Sequence, residues 1–107
     1  MTPHNPHAGE VVLVLNDQPH RLRLTLGALA ELETALAEDS VLAMVERFEQ
    51  GRFSSRDVLA LIVAGLRGGG WGGQAADLLT AEIAGGFSQS ARVAAQLLAR
   101  AFAPPDA

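Results

Sequence analysis

Three glycines in the stretch GLRGGGWGGQAADLL (65–79), Gly68, Gly70 and Gly73, spell G-x-G-x-x-G. Between a β-strand and a helix, that spacing lets the backbone close on a pyrophosphate. The apolar run VLALIVAG (58–65) just before it could be such a strand. Its context argues otherwise. Ser54 and Asp57 form an S-x-x-D capping box, so a helix over 55–67 should feed the glycines. No later segment reads as a strand, and no acidic residue stands at a strand end about 20 positions on. A Walker A loop fails as well. Gly65 and Gly70 have its spacing, but Trp71 and Gly72 stand where Lys and Ser/Thr must reach phosphate and magnesium. The glycines are therefore expected to stop a helix at Gly68 and let the chain reverse and pack closely.

The remaining reactive residues assemble no reaction. Two of the three histidines, His4 and His7, fall in an aperiodic start, and His20 falls in a turn. A metal site needs convergent ligands held by a second shell. The carboxylate pairs Glu31 and Glu33, Glu38 and Asp39, and Glu46 and Glu49 lie on polar helix faces, whereas acid–base work needs a desolvated group beside a pocket. Glu31 stands closest to the N-terminal strands and is expected to form a structural ion pair with Arg21 or Arg23. Trp71, the sole Trp, is either an anchor on the core or an exposed contact; tryptophan is enriched at binding hot spots. No enzyme, metal or cofactor is expected.

Bulk properties narrow the partners. The chain has 107 residues, room for one domain. Its hydrophobic fraction is 49% but its aromatic fraction only 5%, so the core must be Leu, Val and Ala. Net charge is −4 and pI about 5.2. All basic residues are arginines without a stripe, which argues against nucleic acid, and without a polybasic cluster, which argues against a membrane surface. There is no cysteine, no apolar run reaches spanning length, and no secretory signal is expected from the start MTPHNPHAGE. A cytoplasmic protein is expected.

The elements follow from periodicity. Residues 1–9 read as a flexible arm. EVVLVL (10–15), the turn NDQPH (16–20) and the alternating RLRLTL (21–26) predict a β-hairpin, with Leu22, Leu24 and Leu26 on one face. Helices are predicted over 27–39, over 41–50 with Ser40 as N-cap and a Leu42, Val45, Phe48 stripe, and over 55–67. A short helix over 74–84 should end at Gly85 and Gly86. Ser88 should cap a last helix, 89–102, with Val93, Leu97, Leu98 and Phe102 inward, and a frayed tail at 104–107. The fold class is α+β, mostly helical: an N-terminal hairpin and about five short α-helices, in one domain over 10–103.

The hairpin, LTLGALAELE (24–33), RFEQGRFSSRDVLALIVAGLRGGG (47–70), EIAGG (82–86) and VAAQLLARAF (93–102) form a series. It resembles the small tail assembly chaperone-like proteins of gene transfer agents and related tailed phages, also labelled as tail tube components. The resemblance runs from about residue 9 to 102. It implies a non-enzymatic chaperone that holds the tape-measure protein soluble and helps tail-tube protein assemble around it. A minor structural component of the finished particle, a connector or tube-associated protein, is the alternative. A tube-wall subunit is disfavoured, because tube rings use extensive sheets. Partner contacts are expected at Trp71, Leu97, Leu98 and Phe102, with ordinary core as the competing reading for the leucines. A homo-oligomer is left open.

Overall fold

The computed structural model describes residues 10–36 and 40–102. The expected arm at 1–9 with His4 and His7, the pair Glu38 and Asp39, and the tail at 104–107 lie outside the described residues.

Strands β1 (Val11–Leu15) and β2 (Gln18–Leu22) pair antiparallel, with Val11 opposite Leu22 and Leu15 opposite Gln18. The turn is tighter than expected. Only Asn16 and Asp17 make it, at φ 50° and 66°, and two positive φ values give a twist that matches the flanking strands. Pro19 is therefore in β2, opposite Val14, where an outer strand tolerates the missing donor. The alternation at 21–26 is not one strand. Leu22 is buried in the sheet, Thr25 is a helix cap, and Leu26 is exposed.

Five helices follow. In α1 (Leu26–Ala35) the Thr25 hydroxyl accepts the Ala28 N–H at 3.0 Å. In α2 (Val41–Glu49) Ser40 accepts the Ala43 N–H at 3.1 Å, as expected. Its inward face is Val41 and Met44, flanked by Val45 and Phe48; Leu42 points to solvent. In α3 (Ser55–Gly68) both halves of the capping box form. The Ser54 hydroxyl accepts the Asp57 N–H at 3.1 Å, and the Asp57 carboxylate accepts the Ser54 N–H at 3.0 Å.

The expected helix over 74–84 is a single turn, α4 (Ala75–Leu78). The residues after it serve the sheet instead. Ile83 bridges Leu15, the Ala84 N–H donates to the Val14 carbonyl at 3.1 Å, and the Asn16 N–H donates to the Glu82 carbonyl at 2.8 Å. This covers the open edge of β1 near the turn, where unpaired backbone groups would otherwise need water. Gly85, at φ 83°, then turns the chain straight into α5 (Gly86–Ala101). Ser88 is thus inside the helix rather than its cap.

One apolar cluster holds these elements together. It joins Leu13 and Leu22 of the hairpin, Leu32, Met44, Leu61, Ile62 and Leu66, and Val93 and Leu97 of α5, all fully enclosed. Helix α3 runs through its centre and touches β2, α1, α4 and α5.

The glycines set the distance between α3 and the hairpin. The Arg23 N–H donates to the Gly65 carbonyl at 3.0 Å. A Cβ on Gly68 would land on the Arg23 carbonyl oxygen, and one on Gly69 on that of Arg21. A Cβ on Gly65 would come within 2.7 Å of the Leu97 side chain and 3.1 Å of Leu22. The helix ends in a Schellman motif: the Gly70 N–H donates to the Arg67 carbonyl at 3.0 Å and the Trp71 N–H to the Leu66 carbonyl at 2.9 Å. Gly70 takes the positive φ, 102°, that this ending requires. So the helix stops at Gly68, as expected, with Gly69 as its C-cap, and the run does cap, reverse and pack the chain.

Two ion pairs differ in kind. Arg47 grips Asp57 with two donors, at 2.9 and 2.8 Å, joining α2 to the start of α3. Burial pushes the Asp57 carboxyl up, but the Arg47 hydrogen bond and charge and the two Ser54 bonds outweigh it and hold the group below its ordinary value. The expected Glu31 pair has another partner: Glu31 meets Arg67, not Arg21 or Arg23, at 3.4 Å. Arg67 also donates to the Gly73 carbonyl at 3.4 Å and the Gln74 side chain at 3.3 Å. Glu31 is exposed, so this pair is worth under about 1 kcal/mol.

Gly68→Ala should lower stability by about 1–3 kcal/mol in urea unfolding, because the backbones must part. Gly72→Ala, with open space around it, should stay within about 1 kcal/mol of the parent. Equal midpoints for the two variants would refute the close-approach account. Asp57→Asn should cost about 2–3 kcal/mol at pH 7, less than a fully buried pair because Arg47 is 26% exposed. Since the folded-state pKa of Asp57 is lowered, its contribution is complete above the unfolded value of about 4 and fades as pH falls through the folded value. The gap between parent and Asp57→Asn should therefore narrow below about pH 4 in unfolding titrations.

Candidate protein-interaction surface

The pleat places Gln18 and His20 on the same sheet face as Leu13 and Leu15. The inner part of that face meets the helices. Toward the turn it overhangs them, and a groove of about 410 Å³ opens beneath. Leu15, Leu78 and Ala81 give it apolar surface; Gln18, His20, Trp71 and Asp77 give it polar groups. Trp71 reaches it because the Schellman ending fixes its backbone. Its ring lies so close over Gly73 that a Cβ there would overlap it. Arg67 holds the same loop through Gly73 and Gln74. Trp71 is thus half-buried, packed on the core and lining a groove.

A second groove, of about 280 Å³, is mainly apolar, with Ser55 and Ser90 as its polar lining residues. Val58, Leu59 and Ile62 of α3 form one side, and Ile83 and Phe87 the other. Phe87, 54% exposed, stands in the first turn of α5. Leu78 and Ala81 line both grooves, so the 78–81 segment is the wall between them. Neither the second groove nor Phe87 was expected from sequence. The signal was present: Phe87 follows two helix-starting glycines, where an aromatic has no earlier turn to pack on.

The expected contact residues separate. Leu97 and Leu98 are 1% and 4% exposed and belong to the core. Their burial on the inner face of α5 favours the core reading that the sequence also offered. Phe102 follows the last turn of α5 and is 45% exposed, so it is not inward as its spacing suggested, and it lines neither groove. Trp71 alone of the four enters a groove. Among the described residues, no group of three or more His, Asp or Glu could hold a metal. No helix among them is long and apolar enough to cross a membrane.

A family model described as phage tail tube protein, GTA-gp10, matches residues 8–104. The chain belongs to this family. The match spans the hairpin and all five helices, so the GTA-gp10 assignment covers the whole described fold. No curated protein and no solved structure matches the chain. This member of the tail tube protein family carries one two-stranded sheet among the described residues.

Leu97→Ala should cost about 2–5 kcal/mol in chemical unfolding, as a cavity in the packed centre. Phe102→Ala should cost less than about 1 kcal/mol. Similar losses for both would contradict the division between core and surface.

Proposed function

We propose that the protein is a non-enzymatic tail assembly chaperone of a gene transfer agent or phage-like particle. In this reading it acts in the cytoplasm and binds the tape-measure protein, the tail-tube protein or both during tail assembly. Family membership supports the tail-module setting. The observation that carries the binding reading is the apolar groove beside exposed Phe87. A groove of this kind, between helices, accepts the apolar face of an amphipathic helix, and a long tape-measure chain can supply many such faces. The acidic net charge, −4, supports a carrier that must stay soluble while its client does not.

A second reading is a minor structural component of the finished tail, a connector or tube-associated protein. The family's description as a tail tube protein favours it. The two readings predict different fates for the same chain: a chaperone leaves, a component stays.

Co-expression with the tape-measure protein of the same gene cluster should give a soluble complex of defined mass by size-exclusion chromatography with light scattering. Phe87→Asp should weaken that complex at least about tenfold, as loss of an aromatic anchor does, while the free protein keeps its fold by circular dichroism. Absence of any complex, with the protein retained in purified particles, would reject the chaperone in favour of the structural component.

A further inference from the structure

The groove beneath the hairpin holds polar groups that the fold leaves unused. Among the described residues, the side chains of Gln18, His20 and Trp71 make no hydrogen bond. Asp77 spends one carboxylate oxygen, Oδ2, on the Gln74 N–H at 2.8 Å; Oδ1 has no partner among the described residues. Asn16 is already committed, its side-chain oxygen accepting the Glu82 N–H at 2.9 Å.

We propose that this groove recognises a basic side chain, an arginine or lysine carried by a segment of a partner tail protein. The proposal rests on the protein-binding reading above and gives the chemistry one partner segment must present. Three features select a cation. The Asp77 carboxylate supplies charge and a free acceptor atom. The Trp71 indole supplies a π system, the best aromatic for holding guanidinium or ammonium. Leu15, Leu78 and Ala81 supply apolar surface for the aliphatic stem of a long basic side chain.

Asp77 is the one carboxylate among the described residues that line the groove. Among the described residues, His20 is the only basic side chain lining the groove. Arg67, which holds the Trp71 loop, is engaged by Glu31, the Gly73 carbonyl and Gln74. An anionic ligand would face the Asp77 carboxylate unpaired. A purely apolar one would strip water from Asp77 and Gln18 without replacing it.

The single tryptophan of the chain reports on the site directly. The full-length protein is titrated with acetyl-Leu-Arg-Leu-amide while Trp71 emission is followed, then with the same peptide carrying neutral citrulline in place of arginine. The arginine peptide should give a saturable change with a dissociation constant on the order of millimolar. The citrulline peptide should bind at least about fivefold more weakly, and 0.5 M NaCl should weaken the arginine peptide alone. Asp77→Asn should remove the preference. Because that change also touches the α4 cap, Gln18→Lys, on β2 and outside α4, should lower arginine-peptide binding by a similar factor. No saturable change, or equal binding of the two peptides, overturns the proposal.

The same variants separate this inference from the reading it rests on. If Gln18→Lys leaves the tape-measure complex intact while Phe87→Asp dissolves it, the chaperone reading holds and the basic-side-chain site is wrong. If the peptide preference is present but no tail-protein complex forms, the site holds and the chaperone reading is wrong.

Discussion

The backbone leaving the hairpin lies directly on helix α3, with no side chain between them. Gly65, Gly68 and Gly69 make this contact: two would-be Cβ positions are taken by the carbonyls of Arg23 and Arg21, and the Gly65 carbonyl accepts the Arg23 N–H. Close packing makes the spacing rigid, since interiors tolerate neither overlap nor voids. Leu22 can enter the core only at this distance, and Leu22 carries the hairpin with it. The sheet would be marginal alone. It stands because one side of it is pressed on α3 and the edge of β1 is partly covered by residues 82–84.

From that contact the grooves follow. The same glycine run that admits the hairpin also ends α3 in a Schellman motif and delivers Trp71 under the overhanging strand. The chain then spends one turn on α4 and returns to the sheet at Ile83, so its 78–81 segment stands free enough to wall two grooves. Gly85 launches α5 at once, which leaves Phe87 at the rim. Stability and surface chemistry are therefore coupled through one short stretch. The charges divide the same way. The Arg47–Asp57 pair is partly buried, bidentate and tied to a helix cap, whereas Glu31–Arg67 is exposed and long. The first holds two helices in register; the second steadies the loop that carries Trp71.

Membership in the GTA-gp10 family gives this surface its setting. Proteins of a tail module meet other tail proteins, and a small Ala- and Leu-rich helical domain has little to offer them except grooves. The two grooves here differ usefully. One is apolar and suited to affinity. The other mixes an indole, a carboxylate and amide groups, and is suited to discrimination between segments.

Much of this architecture was written in local sequence. The capping serine before α2, the Ser54–Asp57 box, the hairpin and the punctuating role of the glycines are all read from neighbours a few residues apart, because capping and turn geometry depend on nothing further away. The same holds for the failure of the glycine motif as a nucleotide loop, since a helix and not a strand feeds it. Local pattern failed where a distant partner outbid it. The helix expected over 74–84 gave way to hydrogen bonds with β1. Leu26 and Leu42 fit their stripes but face water, and Phe102 ends its helix just past the core. Glu31 chose Arg67 on α3 over the nearer arginines of the strand. The groove beneath the hairpin needs β2, the α3 ending and α4 at once, and Trp71, Gln18, His20 and Asp77 have no periodic relation in sequence. The sequence alone decides what each segment can be; only the packed backbone of Arg21–Arg23 on the α3 glycines decides which of these residues meet, because that contact sets every distance beyond it.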